Sequence, residues 1–280
     1  MRKINFEAEK EQTVLNLLIS NNVSKRLIKK LKREENGITL NGVHIRTVDK
    51  VDKGDVITIS LEDEKSLSSN GDLCVPVLFE CDDFIVFDKP YNMPVHPSIK
   101  HRDDTLGNYF SYRCKGLTFR PVNRLDKDTS GVCVVAKNAY AAKALQQSLD
   151  KTYYAIACGN TDAEGTIDAP IGRVDGSIIT REVSPSGQAA VTHYKAVKYS
   201  DNGKYTLLKI NLETGRTHQI RVHFSYIGHP LAGDSMYGGD CSDICRQALH
   251  CKAVRLSNPT TGEKMIIESE LPYDMRSLIE

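Results

Sequence analysis

The residues of this chain whose types and spacing could do chemistry are Arg124 and Asp126, either side of Leu125 and just ahead of Thr129-Ser130-Gly131. In extended backbone an Arg and an Asp two positions apart leave on the same face. Thr-Ser-Gly then turns the chain into Val132-Cys133-Val134-Val135, an apolar run that reads as a fully buried strand. The pattern sets one carboxylate and one guanidinium at the mouth of a sheet, with a tight turn fixing both. A carboxylate in such a place can serve as a nucleophile or a base. The plainer alternative is a surface Arg–Asp pair, which contributes little.

Positioning those residues takes a sizeable fold, and 280 residues are enough for one large core or a moderate domain plus a small one. Hydrophobic content of 40% and charged content of 26% are ordinary for a globular protein. No apolar run approaches the roughly 20 residues of a membrane span. The start, Met1-Arg2-Lys3-Ile4-Asn5-Phe6-Glu7, lacks the apolar stretch of a secretory signal. Eight scattered cysteines in a chain this large read as reduced thiols, so a cytoplasmic protein without membrane association is expected. The net charge of +1 hides an uneven distribution. Residues 25–33 hold Lys25, Arg26, Lys29, Lys30, Lys32 and Arg33 with no acid, whereas Glu62-Asp63-Glu64 is acidic.

Val14, Leu15, Leu17, Leu18 and Ile19 predict a short helix, and Ser24 caps a second whose apolar face is Leu27, Ile28 and Leu31. The opposite face is the basic cluster. Asn41-Gly42 between apolar triplets predicts a hairpin, and Gly54-Asp55 leads into an alternating strand over residues 56–59. This order of elements resembles the alpha-L (S-four-type) RNA-binding domain, over about residues 12–60. The resemblance implies that Lys25, Arg26, Lys29 and Lys30 contact RNA phosphates; an ordinary solvated helix face is the plainer reading. Residues 61–74 are polar, Ser-rich and aperiodic, and read as a flexible linker.

Beyond residue 75 a hairpin-like pair (Val77-Leu78-Phe79 and Phe84-Ile85-Val86-Phe87) precedes Asp88-Lys89-Pro90-Tyr91-Asn92-Met93-Pro94-Val95-His96-Pro97, where three prolines force a loop. Asn138 caps a helix through Gln147, and Lys151-Thr152-Tyr153-Tyr154-Ala155-Ile156-Ala157-Cys158-Gly159 follows as a strand that lets only one of the two tyrosines face a pocket. Residues 160–190 read as loops with short strands, and residues 192–197 and 205–210 as neighbouring strands across Asp201-Asn202-Gly203. Thr217 is placed to cap a helix that Gly228 and Pro230 end.

Together these segments resemble the RluA-type pseudouridine synthase family. The signature His-Arg-Leu-Asp-x-x-Thr-Ser-Gly is matched from Arg124 to Gly131, with Asn123 in place of His. Residues 88–97 are similar to the family's Lys-Pro-x-Gly-Leu-x-Val-His-Pro loop. Residues 151–159 match Lys-x-Tyr-x-Ala-x-Val-x-Gly, and Thr214-Gly215-Arg216-Thr217-His218-Gln219-Ile220-Arg221-Val222-His223 matches almost letter for letter, continuing into His229-Pro230-Leu231-Ala232-Gly233-Asp234-Ser235-Met236-Tyr237-Gly238. The resemblance implies that Asp126 is the catalytic carboxylate, that Arg221 pairs with it, that Tyr153 is the active-site tyrosine, and that Arg124 enters the space left by a flipped base.

The implied fold is α+β: a mixed, mainly antiparallel sheet with flanking helices over residues 75–280, a linker at 61–74 and a small N-terminal α+β RNA-binding domain at 1–60. The implied reaction breaks the glycosidic bond of a uridine and rejoins the base through carbon. That requires a base taken out of the RNA stack and no redox step, hence no cofactor. Large-subunit ribosomal RNA is the expected partner, ahead of transfer RNA, and a monomer the expected state. A catalytically idle ribosome-assembly factor and a hydrolase using Asp126 with a histidine are the rival readings; no G-x-S-x-G motif supports the second. Cys241, Cys245, His250 and Cys251 have too irregular a spacing for a zinc site, so no metal is expected.

Overall fold

A computed structural model describes residues 2–61 and 67–280; the acidic run Glu62-Asp63-Glu64 lies outside them. The N-terminal unit runs β1 (Arg2–Glu7), β2 (Gln12–Thr13), α1 (Val14–Ser20), α2 (Lys25–Leu31), β3 (Ile38–Leu40), β4 (Val43–His44), β5 (Lys50–Val51) and β6 (Val56–Leu61). Its main sheet has the order β1-β6-β3-β4, and β2 pairs with β5. The Asn41-Gly42 turn joins β3 to β4 in the expected register, Leu40 opposite Val43. Ser24 caps α2 by accepting the Leu27 amide. Leu27, Ile28 and Leu31 are buried, while Lys25, Arg26 and Lys29 are exposed. Strand β1 has no counterpart in the sequence reading. It alternates Ile4 and Phe6 with polar residues, and Phe6 sets its ring edge-on against Tyr140, 5.6 Å away.

The larger unit continues with β7 (Val77–Glu80), β8 (Phe84–Lys89), α3 (Leu106–Arg113), β9 (Arg120–Pro121), β10 (Ser130–Ala136), α4 (Ala139–Ser148), β11 (Asp150–Cys158), β12 (Glu164–Asp168), β13 (Ile171–Arg173) and β14 (Arg181–Val183). It ends with β15 (Val191–Tyr199), β16 (Tyr205–Leu212), α5 (Gln219–Tyr226), β17 (Leu249–Ser257), β18 (Lys264–Glu268) and α6 (Tyr273–Arg276). One ten-stranded sheet in the order β12-β15-β16-β11-β17-β10-β8-β7, with β18 on β17 and β9 on β10, carries the core. Among the described residues β10 and β17 form its parallel pair and the other pairings are antiparallel. Strand β10 is buried along its whole length, as its apolar run requires. Gly131 has φ of +106°, and a Cβ there would collide with the Cys251 carbonyl. The glycine therefore lets β10 and β17 cross closely where the chain enters from the Arg124–Asp126 loop.

Two segments differ from expectation. Residues 67–74 are fastened to α3 rather than free. The Asn108 amide donates to the Ser68 carbonyl (2.9 Å) and the Asn70 amide to the Asp103 carbonyl (2.8 Å), while Leu67 and Leu73 pack on the core. Thr217 does not cap α5. His218 occupies that position with φ of 57° and no side-chain cap bond, and Gln219 instead accepts the Arg216 amide at 2.9 Å.

Candidate active site

The loop between β9 and β10 is held by an amide rather than by strand pairing. Asn123, buried, donates to the Val132 carbonyl (3.0 Å) and accepts the Val134 amide (2.8 Å). The side chain continues the β9–β10 ladder by one rung, which accounts for a residue able to donate and accept at this position. Beyond it Leu125 enters the core and Arg124 and Asp126 face the same groove, although the backbone there is irregular. The loop closes with Thr129 N–H on the Asp126 carbonyl. From beneath, the wholly buried Lys89 donates to the carbonyls of Pro90 (2.7 Å), Met93 (2.8 Å) and Lys127 (3.1 Å), tying the proline-rich loop to the Asp126 loop. Burial pushes the Lys89 ammonium down to about 8, against the pull of Cys133, Asp128 and Asp126.

Arg221 reaches the same place from α5, a helix buried from Gln219 to Phe224. Its main partner is Asp234, which takes Nε at 2.7 Å and the second terminal nitrogen at 2.8 Å in a bidentate clamp. The remaining nitrogen, Nη1, donates to Asp126 Oδ2 at 3.2 Å. Burial works against the Arg221 charge, but Asp234, joined by Asp126, outweighs it and holds the pKa above its ordinary value. Tyr237 lies with its ring 4.9 Å from the guanidinium carbon, a cation–π contact. Gly233, with φ of +72° and a backbone contact where a Cβ would be, sets the turn that aims Asp234 inward.

Tyr153 projects from β11 at a bulge: the register against β17 shifts between Thr152 and Tyr153. Bulges of this kind re-aim a side chain. The ring is buried, and burial, with Cys251, Asp126 and Cys133 nearby, raises the hydroxyl's pKa well above 10.0, so it stays protonated. Tyr154, the alternative, packs with Ile156 and Tyr205 in a separate cluster.

Arg124, Asp126, Tyr153, His218 and Arg221 thus line one pocket of about 70 Å³. It opens into a groove of about 620 Å³ to which Val95, His96, Gln146, Lys151 and Arg216 contribute. Lys25, Arg26, Lys29 and Lys30 line neither. Two residues without an assigned role in the sequence belong to the site: Asp234 and His218. The signal for Asp234 was the Leu231-to-Gly238 segment, whose one buried acid it is. Cys241 and Cys245 are exposed whereas His250 and Cys251 are buried in β17, and no group of metal-binding residues forms among the described residues. The described residues contain no helix long and apolar enough to cross a membrane.

Comparison with known proteins places this geometry in a family. A family model described as RNA pseudouridylate synthase matches residues 83–226. An uncharacterized RNA pseudouridine synthase, YhcT of Bacillus subtilis (strain 168), is 42% identical over 81% of this chain and 79% of its own. Ribosomal large subunit pseudouridine synthase D of Vibrio cholerae is 39% identical over 86% of this chain and 82% of its own. Among solved structures, human RNA pseudouridylate synthase domain containing 1 superposes with a TM-score of 0.61 at 27% identity, over 74% of this chain and 87% of that one. With a matching family model, relatives this similar over most of their length and the same mainly antiparallel architecture, the chain belongs to the RluA-type RNA pseudouridine synthases, isomerases that convert uridine in RNA to pseudouridine.

Proposed function

We propose that this synthase modifies specific uridines of large-subunit ribosomal RNA, with Asp126 as its catalytic carboxylate. The observation that carries the assignment is the asymmetric hold on Asp126. Oδ2 accepts from Arg221 at 3.2 Å, and Arg221 is itself immobilised by buried Asp234. A carboxylate positioned this way at the floor of an open pocket is preorganised for chemistry, whereas a pure binder gains nothing from a desolvated charge cluster. The reaction breaks the bond from the ribose carbon C1′ to uracil N1, forms one from C1′ to C5, and releases the C5 proton while N1 takes one up. Attack by Asp126 on the nucleoside and abstraction of a ribose proton by Asp126 both call on the same carboxylate.

Tyr153 offers its ring as a face for the uracil, and its protonated hydroxyl can relay the departing proton. Arg124, exposed at the pocket rim, enters the space the flipped base leaves. The N-terminal unit acts as an alpha-L-type RNA-binding module, with Lys25, Arg26, Lys29 and Lys30 on phosphates. The relative from Vibrio cholerae, by its name a large-subunit ribosomal synthase, supports that RNA over transfer RNA. The test is mass-spectrometric mapping of pseudouridine in ribosomal and transfer RNA from cells without the gene, and from cells complemented with wild type or Asp126→Asn. Loss of one or a few ribosomal pseudouridines, restored by wild type alone, is the expected result. Restoration by Asp126→Asn overturns the role of Asp126, and loss confined to transfer RNA overturns the substrate.

A further inference from the structure

We propose that His218 is a positioning residue of this site: held as the neutral imidazole with its proton on Nε2, it acts with Arg221 on one oxygen of Asp126 and leaves the other free to react. The inference rests on Asp126 being the catalytic carboxylate, and deepens that reading.

A relay of hydrogen bonds fixes the His218 ring. The backbone N–H of Arg181, on β14, donates to the Tyr237 hydroxyl oxygen at 3.1 Å. That hydroxyl lies 2.8 Å from His218 Nδ1. A phenol oxygen that already accepts the Arg181 amide has its own proton to place, and Nδ1 is the acceptor beside it. Nδ1 therefore carries a lone pair rather than a hydrogen, and in the neutral ring the proton sits on Nε2. Nε2 faces Asp126 Oδ2 at 3.7 Å, the same oxygen that Arg221 Nη1 approaches at 3.2 Å. Both donors converge on Oδ2. Oδ1 has no hydrogen-bond partner among the described residues and is the oxygen left for the nucleoside.

At 3.7 Å the His218 contact is longer than a hydrogen bond. Catalytic contacts commonly lengthen in the free enzyme and tighten once substrate displaces water. Burial holds the ring neutral. It lowers the pKa below 6.5 against Asp126 and Asp234, which favour protonation, and together with Arg221 and Arg181, which oppose it. The backbone agrees as well. His218 is held at φ of 57°, a left-handed conformation that few residues adopt without cost. That conformation sends the ring toward Tyr237, which it meets edge-on at 80°.

Two measurements test this. The first needs no RNA. Long-range proton–nitrogen correlation spectra of protein labelled in the histidine rings, assigned with His218→Gln, are expected to show His218 as the neutral Nε2–H tautomer at pH 7.5. In Tyr237→Phe, which keeps the ring beneath Arg221, the Nδ1–H form is expected to gain population. A wild-type Nδ1–H tautomer or imidazolium overturns the proposal. The second measures tritium release from large-subunit ribosomal RNA transcribed with uridine labelled at C5. His218→Asn tolerates the left-handed backbone and keeps a polar atom near Nδ1 while removing Nε2. It is expected to slow single turnover by about tenfold or more, with RNA affinity within about threefold. His218→Gln, which returns an N–H near the Nε2 position, is expected to recover most of the rate. A His218→Asn enzyme within about twofold of wild type overturns the proposal. Should wild type release no tritium from this RNA, the substrate reading fails, and the tautomer measurement still decides the fate of His218.

Discussion

Two sets of cations in this protein are handled in opposite ways. Arg221 is buried and clamped by a buried carboxylate, with each terminal nitrogen assigned to a partner. Lys25, Arg26 and Lys29 stand exposed on α2 above a buried Leu27-Ile28-Leu31 face. A buried charge fixed in advance needs no reorganisation when charge develops in a reaction, and its desolvation is met during folding. An exposed lysine holds no geometry, but it can exchange water and counterions for phosphate wherever the RNA presents one. Reaction demands the first arrangement, and sequence-independent grip the second. On the proposed reading the protein separates them onto two units, which touch at the Phe6–Tyr140 contact.

The sharpest way to break that contrast is to remove the clamp without touching Asp126, the proposed catalytic carboxylate. Asp234→Asn keeps the shape but leaves Arg221 buried without its bidentate partner. The cost of stranding a buried charge is about 3–5 kcal/mol, read as a lower urea midpoint with an unchanged slope. Pseudouridine formation is expected to fall with it, because Arg221 loses the anchor that aims Nη1 at Asp126. The same operation at the exposed Lys50–Glu11 pair, on the N-terminal unit, is expected to leave the midpoint where it was. Equal losses at the two sites would mean that burial is not what distinguishes them.

Next in size is the loop that carries Asp126. Asn123→Ala strands the Val132 carbonyl and the Val134 amide, both buried, at about 1–3 kcal/mol for each unsatisfied group. Stability is expected to drop by about 2–6 kcal/mol, and turnover to drop further as the Arg124–Asp126 loop loosens. Amide exchange at Val134 would report the loosening directly. If exchange there stays as slow as in wild type, the Asn123 amide is not what pins the loop.

How much of this could be read from the chain depended on whether the information was local. Ser24 and Asn138 as caps, the Asn41-Gly42 hairpin and the buried run of β10 are set by neighbours a few residues away, and all are found as expected. Asp126, Tyr153 and Arg221 come together in the sequence only through the resemblance to the family's motifs, and the three line one pocket. What escaped was tertiary. Asp234 pairs with a residue one helix and one turn away, and no periodicity marks such a pair. Helix α3 buries Gly107, Asn108 and Ser111 along with its apolar residues, so its inward face does not read as apolar. Strand β1 is mostly polar and becomes a strand by pairing with β6, about fifty residues on. Lys89 looks like a solvent residue until the sheet closes over it.

That buried lysine makes a pH signature that the exposed lysines of α2 lack. Its folded pKa is pushed down to about 8 from an ordinary 10.5. Below pH 8 both folded and unfolded chains hold the proton, and the folded state bears the full burial penalty. Between pH 8 and 10.5 the unfolded chain is the more protonated, so this group makes stability rise with pH, by up to about 3 kcal/mol across the window. Buried Cys133 and Cys251, pushed up to about 12, act in the opposite sense above pH 9. The observable is therefore the difference between wild type and Lys89→Met in urea titrations from pH 7 to 10. It is expected to shift steadily toward wild type as pH rises. A difference independent of pH would mean that the three carbonyls keep Lys89 charged throughout.

The smallest effects are expected on α2, where no single cation is indispensable. Replacing Lys25, Arg26 or Lys29 by Ala removes at most one phosphate contact, which lowers the slope of log affinity against log salt by up to about 1. At moderate salt that is a weakening of about two- to threefold in RNA binding, with turnover of bound RNA unchanged. Lys30 should move least of the four, because Glu34 lies 3.6 Å from it on the next turn and already takes part of its charge. Filter binding across a salt series, run beside single-turnover rates, separates the two kinds of cation. A variant of α2 that slows turnover while leaving the salt slope intact would place that residue with Arg221 rather than with the phosphate grip.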